Sequence, residues 1–486
     1  MVISGTNLSG FNGVAFNYQI VGSNYVTSFG ASNLPAALSV NTSSGIISGT
    51  PSAAGTNVIA LLVTNAAGNS SKLATIAIGA TPATGTYYVA STGTDIPGNG
   101  SIGSPWRTLE YATGRMLGGD ILYVRGGTYT EVFDLYGPNG SAGAYTKVLA
   151  YPGETPIFNH SNPSSSGNSL NALNFYVLGG LTIHDYQTGL YIWGCSNTVV
   201  TNLTVYRTGQ EGIHVQYDCN NVTVVGNTVY SNGLDNAFGE GIYCGSGDNV
   251  GQPVDNCHDI TISSNIVHDA LGEAIEVKGG TYNVTVQGNT VYTCNKAGVP
   301  SGAGGGAIEV DENGTYNFWN GDPLHVIRGN VVYDTPIGIR AGTGQQVYNN
   351  VVYSCTSSGI LVNNNRGDSY VRYIYNNTVD QPIATSIVVS SGLSTVWNNI
   401  GPTNINNYAV SSLFFVNYAT HDYHLVNGSI LVDTGAAQPL VVLTDFDGLT
   451  RPNGVATDIG AYELQQNGLT NVVTATVPVN LRVIPR

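Results

Sequence analysis

GIHVQ (212–216), GIYCG (241–245), AIEVK (274–278) and AIEVD (307–311) are versions of one phrase, a small residue followed by alternating apolar and variable positions. GLYIW (189–193), GIRAG (338–342) and GILVN (359–363) bring the set to seven between Thr188 and Asn399. A second phrase, Asn-x-Val-Tyr/His with close variants, alternates with it. Aligned by eye, it puts Asn202, Asn227, Asn265, Asn289, Asn330, Asn350, Asn377 and Asn399 at one equivalent position. Self-similarity at a period of about 20–40 residues marks a solenoid, in which each unit buries its apolar face only against its neighbours. The segments are short, alternate with period two and are rich in Val, Ile, Thr and Tyr, so they are strands. Equivalent strands separated by full coils run parallel. The sequence therefore predicts an all-β chain built on a parallel β-helix, right-handed by the crossover rule. The Asn residues are expected at a bend, each hydrogen-bonded to its copies above and below.

The alignment also sorts side chains. Within each opening phrase the second and fourth residues point inward, so the third and fifth project from one sheet toward solvent. The third-place column reads Tyr191, His214, Tyr243, Glu276, Glu309, Arg340, Leu361. The fifth-place column reads Trp193, Gln216, Gly245, Lys278, Asp311, Gly342, Asn363. Just before the phrase, Glu211, Glu240 and Glu273 fall on three successive rungs. In a chain that is 9% charged, this is a dense patch.

At 486 residues the chain is long enough for more than one domain. Fifteen Lys and Arg stand against 30 Asp and Glu, and the net charge of −15 argues against nucleic acid or an anionic membrane as partner. No run reaches the roughly 18 apolar residues of a membrane helix, so no membrane insertion is expected. Met1 is not followed by a basic and then apolar signal. The chain is read as the mature or excised part of a secreted or cell-surface protein of bacterial type, acting as a monomer. Cys195, Cys219 and Cys257 fall at nearly the same turn of successive rungs, Cys294 and Cys355 share another turn two rungs apart, and Cys244 points inward. Buried free thiols are the favoured reading, with one bridge, Cys195–Cys219 or Cys219–Cys257, as the alternative.

Residues 1–80 show the 8–12 residue rhythm of a small β-sandwich. The stretch LPAALSVNTSSGIISGTPSAAG (34–55) resembles the Ig-like, cadherin-like modules of bacterial secreted proteins, which implies a spacer or adhesive role. A linker, 81–86, leads to the solenoid, assigned to 87–464, and 465–486 reads as an extension or linker. Trp106–Met116 is amphipathic and is expected as a helix covering the open end of the core. YYVASTGTDIPGNGSIGSPWRTLEYATGRMLGGDILYVRGGTYTE (87–131) resembles the N-terminal cap of secreted right-handed β-helix proteins. DFDGLTRPNGVATDIGAYEL (445–464) resembles their C-terminal closure. That group holds polysaccharide lyases, glycosidases and uronan epimerases.

Insertions at 245–258, 295–305 and 312–325 flank the patch and would turn an open sheet into a cleft, with Phe318 and Trp319 as wall residues. Three readings follow. In a lyase, Lys278 or Arg340 supplies base and charge stabilisation, His214 and Tyr243 form an alternative proton-transfer pair, and Tyr191, Trp193, Asp311 and Trp319 bind substrate. Its carboxylates Glu240, Glu273, Glu276, Glu309 and Asp311 hold Ca²⁺, a hard cation that takes oxygen ligands. The order Glu273, Glu276, Lys278, Arg340 is similar to that of the Ca²⁺-dependent chondroitinase B and alginate lyase family, which implies β-elimination on an acidic polysaccharide. In a hydrolase, Glu276 and Glu309 form a pair whose repulsion raises one pKa. In a non-catalytic glycan-binding adhesin, Lys278 and Arg340 merely interleave a ladder of like charges.

Overall fold

The computed structural model describes residues 7–11, 16–20, 27–65, 68–79, 85–160, 167–235, 239–246, 255–295, 305–310, 325–342, 345–362, 372–381, 385–389, 394–401, 407–437 and 442–464. The chain divides into two compact units, Met1–Val124 with 137–149 and 174–177, and the remainder.

Near the N-terminus, Asn7–Phe11, Gly68–Gly79, Gly55–Asn65 and Ser28–Ser32 form a four-stranded sheet, and Phe16–Gln19, Ile46–Gly49 and Leu38–Val40 a three-stranded one. Alternate residues, Ile47, Ile59, Leu61, Val63 and Ile76, are fully buried. This is the expected Ig-like sandwich, with a core drawn from period-two positions.

From Thr86 to Trp397 the described strands belong to the coil, in three sheets of ten, ten and twelve strands paired in parallel, and Phe415–Asn417 and Asp422–Leu425 form a separate antiparallel pair. The site sheet runs from Asp134–Leu135 through Leu190–Trp193, Ile213–Gln216, Ile242–Cys244, Ile275–Val277, Ile308–Val310 and Ile337–Ala341 to Thr385–Val389. Its inward residues, Ile213, Val215, Ile242, Cys244, Ile275, Val277 and Ile308, show no exposure. The closing phrases make the ring sheet. On its outer face His184, Tyr206, Tyr230, His268, Tyr292, Tyr333, Tyr353 and His421 stack with centroids 4.1–5.0 Å apart, close to strand spacing.

Asn227, Asn265, Asn289, Asn330, Asn350, Asn377 and Asn399 occupy one bend, as expected. Each side-chain amide donates to the next Asn Oδ1 at 2.9–3.0 Å, and Asn407 ends the series. The same Oδ1 accepts the preceding Asn backbone N–H, as in Asn265 N to Asn289 Oδ1 at 2.9 Å. Asn202 is not a member. Thr204 pairs with Thr228, so Leu203 takes the bend position and donates its backbone N–H to Asn227 Oδ1, while Asn202 is exposed at φ 53° one residue earlier. The helix is shorter than expected, Leu109–Thr113, capped by Thr108 and ended at Gly114. Trp106 lies outside it and forms a parallel bridge with Val89 instead.

All six cysteines are buried and free. Cys195, Cys219 and Cys257 do share a turn, where His258 N donates to Cys219 O and Asn220 N to Cys195 O. Thr335 fills the rung between Cys294 and Cys355, its hydroxyl 3.6 Å from the Cys355 sulfur. At the far end Ile400, Phe415, Tyr423, Leu425, Leu431, Ile459 and Ala461 form a buried cluster over the last coil. Arg451 is fully buried there and donates to Asp458 O, Gly460 O and Ala461 O while pairing with Glu463 at 3.2 Å.

Removing one Asn leaves its neighbours' buried donors and acceptors unmet, at about 1–3 kcal/mol each. Asn289→Ala is expected to lower stability by about 2–4 kcal/mol, whereas Asn202→Gly stays within about 0.5 kcal/mol; thermal midpoints of the two variants check both the ladder and its register. In the closure, burial disfavours a charge on His424, but the Asp447 and Asp422 carboxylates, at 2.8 and 2.5 Å, outweigh it and push its pKa up to about 9. A folded pKa above the unfolded value of about 6.5 gives stabilisation that is complete below that value and is lost as pH rises through 9. The gap in thermal midpoint between the protein and His424→Asn is expected to be widest near pH 6 and to vanish above pH 9.

Candidate active site

Strand pairing sets the columns. Tyr191, His214, Tyr243, Glu276, Glu309, Arg340 and Leu361 are register partners from rung to rung, as are Trp193 and Gln216. Glu211, Glu240 and Glu273 stack just before the strands, each carbonyl accepting from a glycine N–H one rung back: Gly189, Gly212 and Gly241.

The side chains leave the core as expected, but several do not reach water. His214, Gln216, Glu276 and Glu309 are buried, with Glu276 4% and Glu309 3% exposed. At Glu309 the covering is backbone. Gly306 N donates to Glu309 Oε2 at 2.7 Å, and a Cβ on Gly305 would collide with the Glu273 carboxylate and come within 2.8 Å of Glu309 Oε2. A glycine pair lying this close replaces the open face that alternation implies.

Glu240, Glu273 and Glu276 converge, one carboxylate oxygen of each lying within 4.8 Å of the others. Glu276 forms an ion pair with Lys278. Burial drives the Glu276 pKa well up; Lys278 opposes it, and Glu273 adds to it. Glu240 is raised by burial too, although it accepts the Gly239 N–H at 3.0 Å. Among the expected metal ligands, Glu309 stands outside this group, because Arg340 holds its Oε1 at 2.5 Å and Gly306 its Oε2. Glu276 and Glu309 are therefore two separate ion pairs rather than a bare pair of acids. Glu211 is also apart, with Oε2 2.9 Å from the Thr188 hydroxyl, which lies 3.0 Å from Tyr191 Oη. Three carboxylates, two buried and one half-buried, offer the oxygen donors that suit a hard divalent cation.

His214 and Tyr243 are adjacent, rings edge to face at 4.5 Å. His214 Nε2 donates to Gly245 O at 3.1 Å, its Nδ1 is buried without a partner, and burial pushes its pKa down to about 4. It is thus a neutral wall residue at pH 7. Burial, with Glu276 nearby, raises the Tyr243 pKa, so Tyr243 keeps its proton, and Lys278 Nζ lies 5.9 Å from the centre of its ring. Trp193 is 42% exposed and stacks on Tyr217 at 4.0 Å. Tyr217 was invisible to the column reading, because it sits beyond the strand at φ 58°, where its N–H donates to Asp255 Oδ2 at 2.9 Å. Thr188 was missed for a similar reason, and the signal was its place one rung before Glu211. Asp311, Phe318 and Trp319 lie outside the described residues.

Residues 87–258 match the family described as "Pel9A-like, right handed beta helix region", and residues 2–79 match "Putative Ig domain". No curated protein matches the chain. Among solved structures, pectate lyase Pel9A is similar with a TM-score of 0.58 at 16% identity, over 78% of this chain and 96% of that one. XylC in complex with xylose gives 0.51 at 12% identity, over 78% and 98%. An alginate lyase from Paenibacillus sp. str. FPU-7 gives 0.48 at 16%, over 62% and 96%. The likeness to pectate lyase Pel9A and to XylC is one of fold, a right-handed parallel β-helix.

Proposed function

We propose that the protein is an extracellular polysaccharide lyase that cleaves a uronic-acid polymer, of the pectate kind, by β-elimination. The observation that carries this reading is the pairing of Lys278 with Glu276 at the edge of the Glu240, Glu273, Glu276 cluster, on the face where Arg340 also projects. The family match over 87–258 and the fold shared with a pectate lyase support it.

Elimination needs the substrate carboxylate neutralised, the C5 proton removed and the O4 leaving group protonated. Glu240, Glu273 and Glu276 would hold Ca²⁺, which would supply charge neutralisation at the uronate. Lys278 Nζ takes the C5 proton. The C5–H bonding pair becomes the C4–C5 double bond as the C4–O4 bond breaks, and O4 collects the Tyr243 hydroxyl proton. Arg340, oriented by Glu309, binds a neighbouring carboxylate. His214 holds the Tyr243 ring and keeps water from it.

Incubation with polygalacturonate is expected to raise ultraviolet absorbance from the new double bond conjugated to the carboxylate. Lys278→Ala is expected to lower turnover by at least about 10³-fold with the β-sheet circular dichroism retained, although loss of the partner of buried Glu276 lowers the thermal midpoint, and a chelator to reduce activity until Ca²⁺ is restored. Reducing ends without absorbance would move the assignment to hydrolysis by Glu276 and Glu309. Binding without either product would make the face a glycan-binding surface.

The cation can be checked without turnover. Calorimetry with Ca²⁺ alone is expected to show one site that weakens at least about tenfold in Glu273→Gln.

A further inference from the structure

The site face is split. On the C-terminal side of Tyr243 the outward residues are ionic: Glu276 with Lys278 and Glu309 with Arg340. On its N-terminal side the third- and fifth-place residues from Tyr191 to Gln216 are aromatic or uncharged, Tyr191, Trp193, His214 and Gln216, and the charged groups beside them are carboxylates, Glu211 and Asp134. The asymmetry runs through the whole chain. Between Lys147 and Lys278 the sequence has a single cation, Arg207. Arg207 is ion-paired with Asp185 at 2.9 Å, where the ring sheet ends and not on the site face. From Lys278 to Arg372 the sequence has six cations: Lys278, Lys296, Arg328, Arg340, Arg366 and Arg372.

A polymer lying along the coil crosses both halves. Trp193 is three strand steps from Lys278 in the same column, roughly 14 Å at about 4.8 Å per step. That is the length of a short run of sugars. A free carboxylate placed over the aromatic half would meet no counter-charge and would sit near buried Glu211, which costs desolvation with no return. An uncharged pyranose ring meets aromatic surface instead, with Trp193 42% exposed and braced by Tyr217. The brace is itself built: Asp255 holds the Tyr217 N–H, and Asn256 reaches Asp218 Oδ1 at 3.0 Å, which fixes two successive residues at positive φ.

We infer that the face around Trp193, Tyr217 and Tyr191 is a distal subsite for uncharged sugar rings, so that the preferred substrate is a uronan interrupted by neutral or methyl-esterified residues rather than a fully ionised one. This rests on the proposed uronan lyase and names its substrate pattern. Neutral sugars and esterified uronates share the chemistry that the surface recognises, a pyranose without charge.

The test is calorimetric binding to the full chain carrying Lys278→Ala, so that substrate is not cut, with fully de-esterified polygalacturonate, partly methyl-esterified galacturonan and neutral galactan as probes. The partly esterified polymer is expected to bind more tightly than the de-esterified one. Adding Trp193→Ala weakens the esterified probe roughly tenfold and removes the preference, while Trp193→Phe retains it. Galactan binding lost in Trp193→Ala shows that neutral sugars occupy the subsite; a preference for esterified polymer without galactan binding assigns it to esterified uronate. Equal or tighter binding of the de-esterified polymer, or an equal loss on both galacturonans in Trp193→Ala, overturns the subsite and leaves the lyase reading standing. Binding of neither galacturonan refutes the uronan reading, and the subsite with it.

Discussion

Parallel backbone pairing, repeated rung after rung at about 4.8 Å, is the constraint on which everything else here depends. It obliges any residue at a given coil position to lie directly over its counterpart. For most polar residues that proximity is a liability, and Asn is the exception. Its side chain carries donor and acceptor together, so a column of Asn satisfies itself. The ladder from Asn227 to Asn407 meets each amide's needs from the neighbouring rungs and the backbone of the bend. The stacked rings from His184 to His421 solve the same problem with faces rather than hydrogen bonds.

Charge is the case the constraint handles worst, and the candidate site lies where carboxylates gather on successive rungs. Glu240, Glu273 and Glu276 are brought together, Glu240 and Glu276 buried and Glu273 half-buried, with burial raising the pKa of Glu240 and Glu276. One rung further on, Glu309 has been neutralised by Arg340 and the Gly306 N–H. The coil thus contains, side by side, a carboxylate held by a guanidinium and a backbone N–H and three carboxylates gathered beside Lys278. Clusters of carboxylates with perturbed pKa values mark candidate ligand and catalytic sites.

Periodicity carried the fold, because register in a parallel coil is itself periodic. The third-place column from Tyr191 to Leu361 was legible in full, down to the pairing of Glu276 with Glu309. What breaks the period was not legible. Asn202 sits one residue early, because the bend there is filled by Leu203. The outward face was read as open, yet Gly305 and Gly306 lie across Glu273 and Glu309. Nothing in a column of side chains shows where a neighbouring backbone will lie. Tyr217 and Thr188 fell just outside the repeated phrase, so the partners of Trp193 and Glu211 were found only in three dimensions.

Both ladders end on residues that belong to no coil. Asn407 closes the Asn column only eight residues after Asn399, and His421 lays its ring on Tyr353 from a left-handed position in the closure. The last segment is therefore a matched terminator, keyed at two separate columns to the rung beneath it. Such a terminator makes the length of the coil a discrete quantity. A whole rung inserted or removed re-presents both keys in register, whereas any fraction of one presents the wrong face to each. Lineages of this architecture can lengthen or shorten the groove only in whole steps.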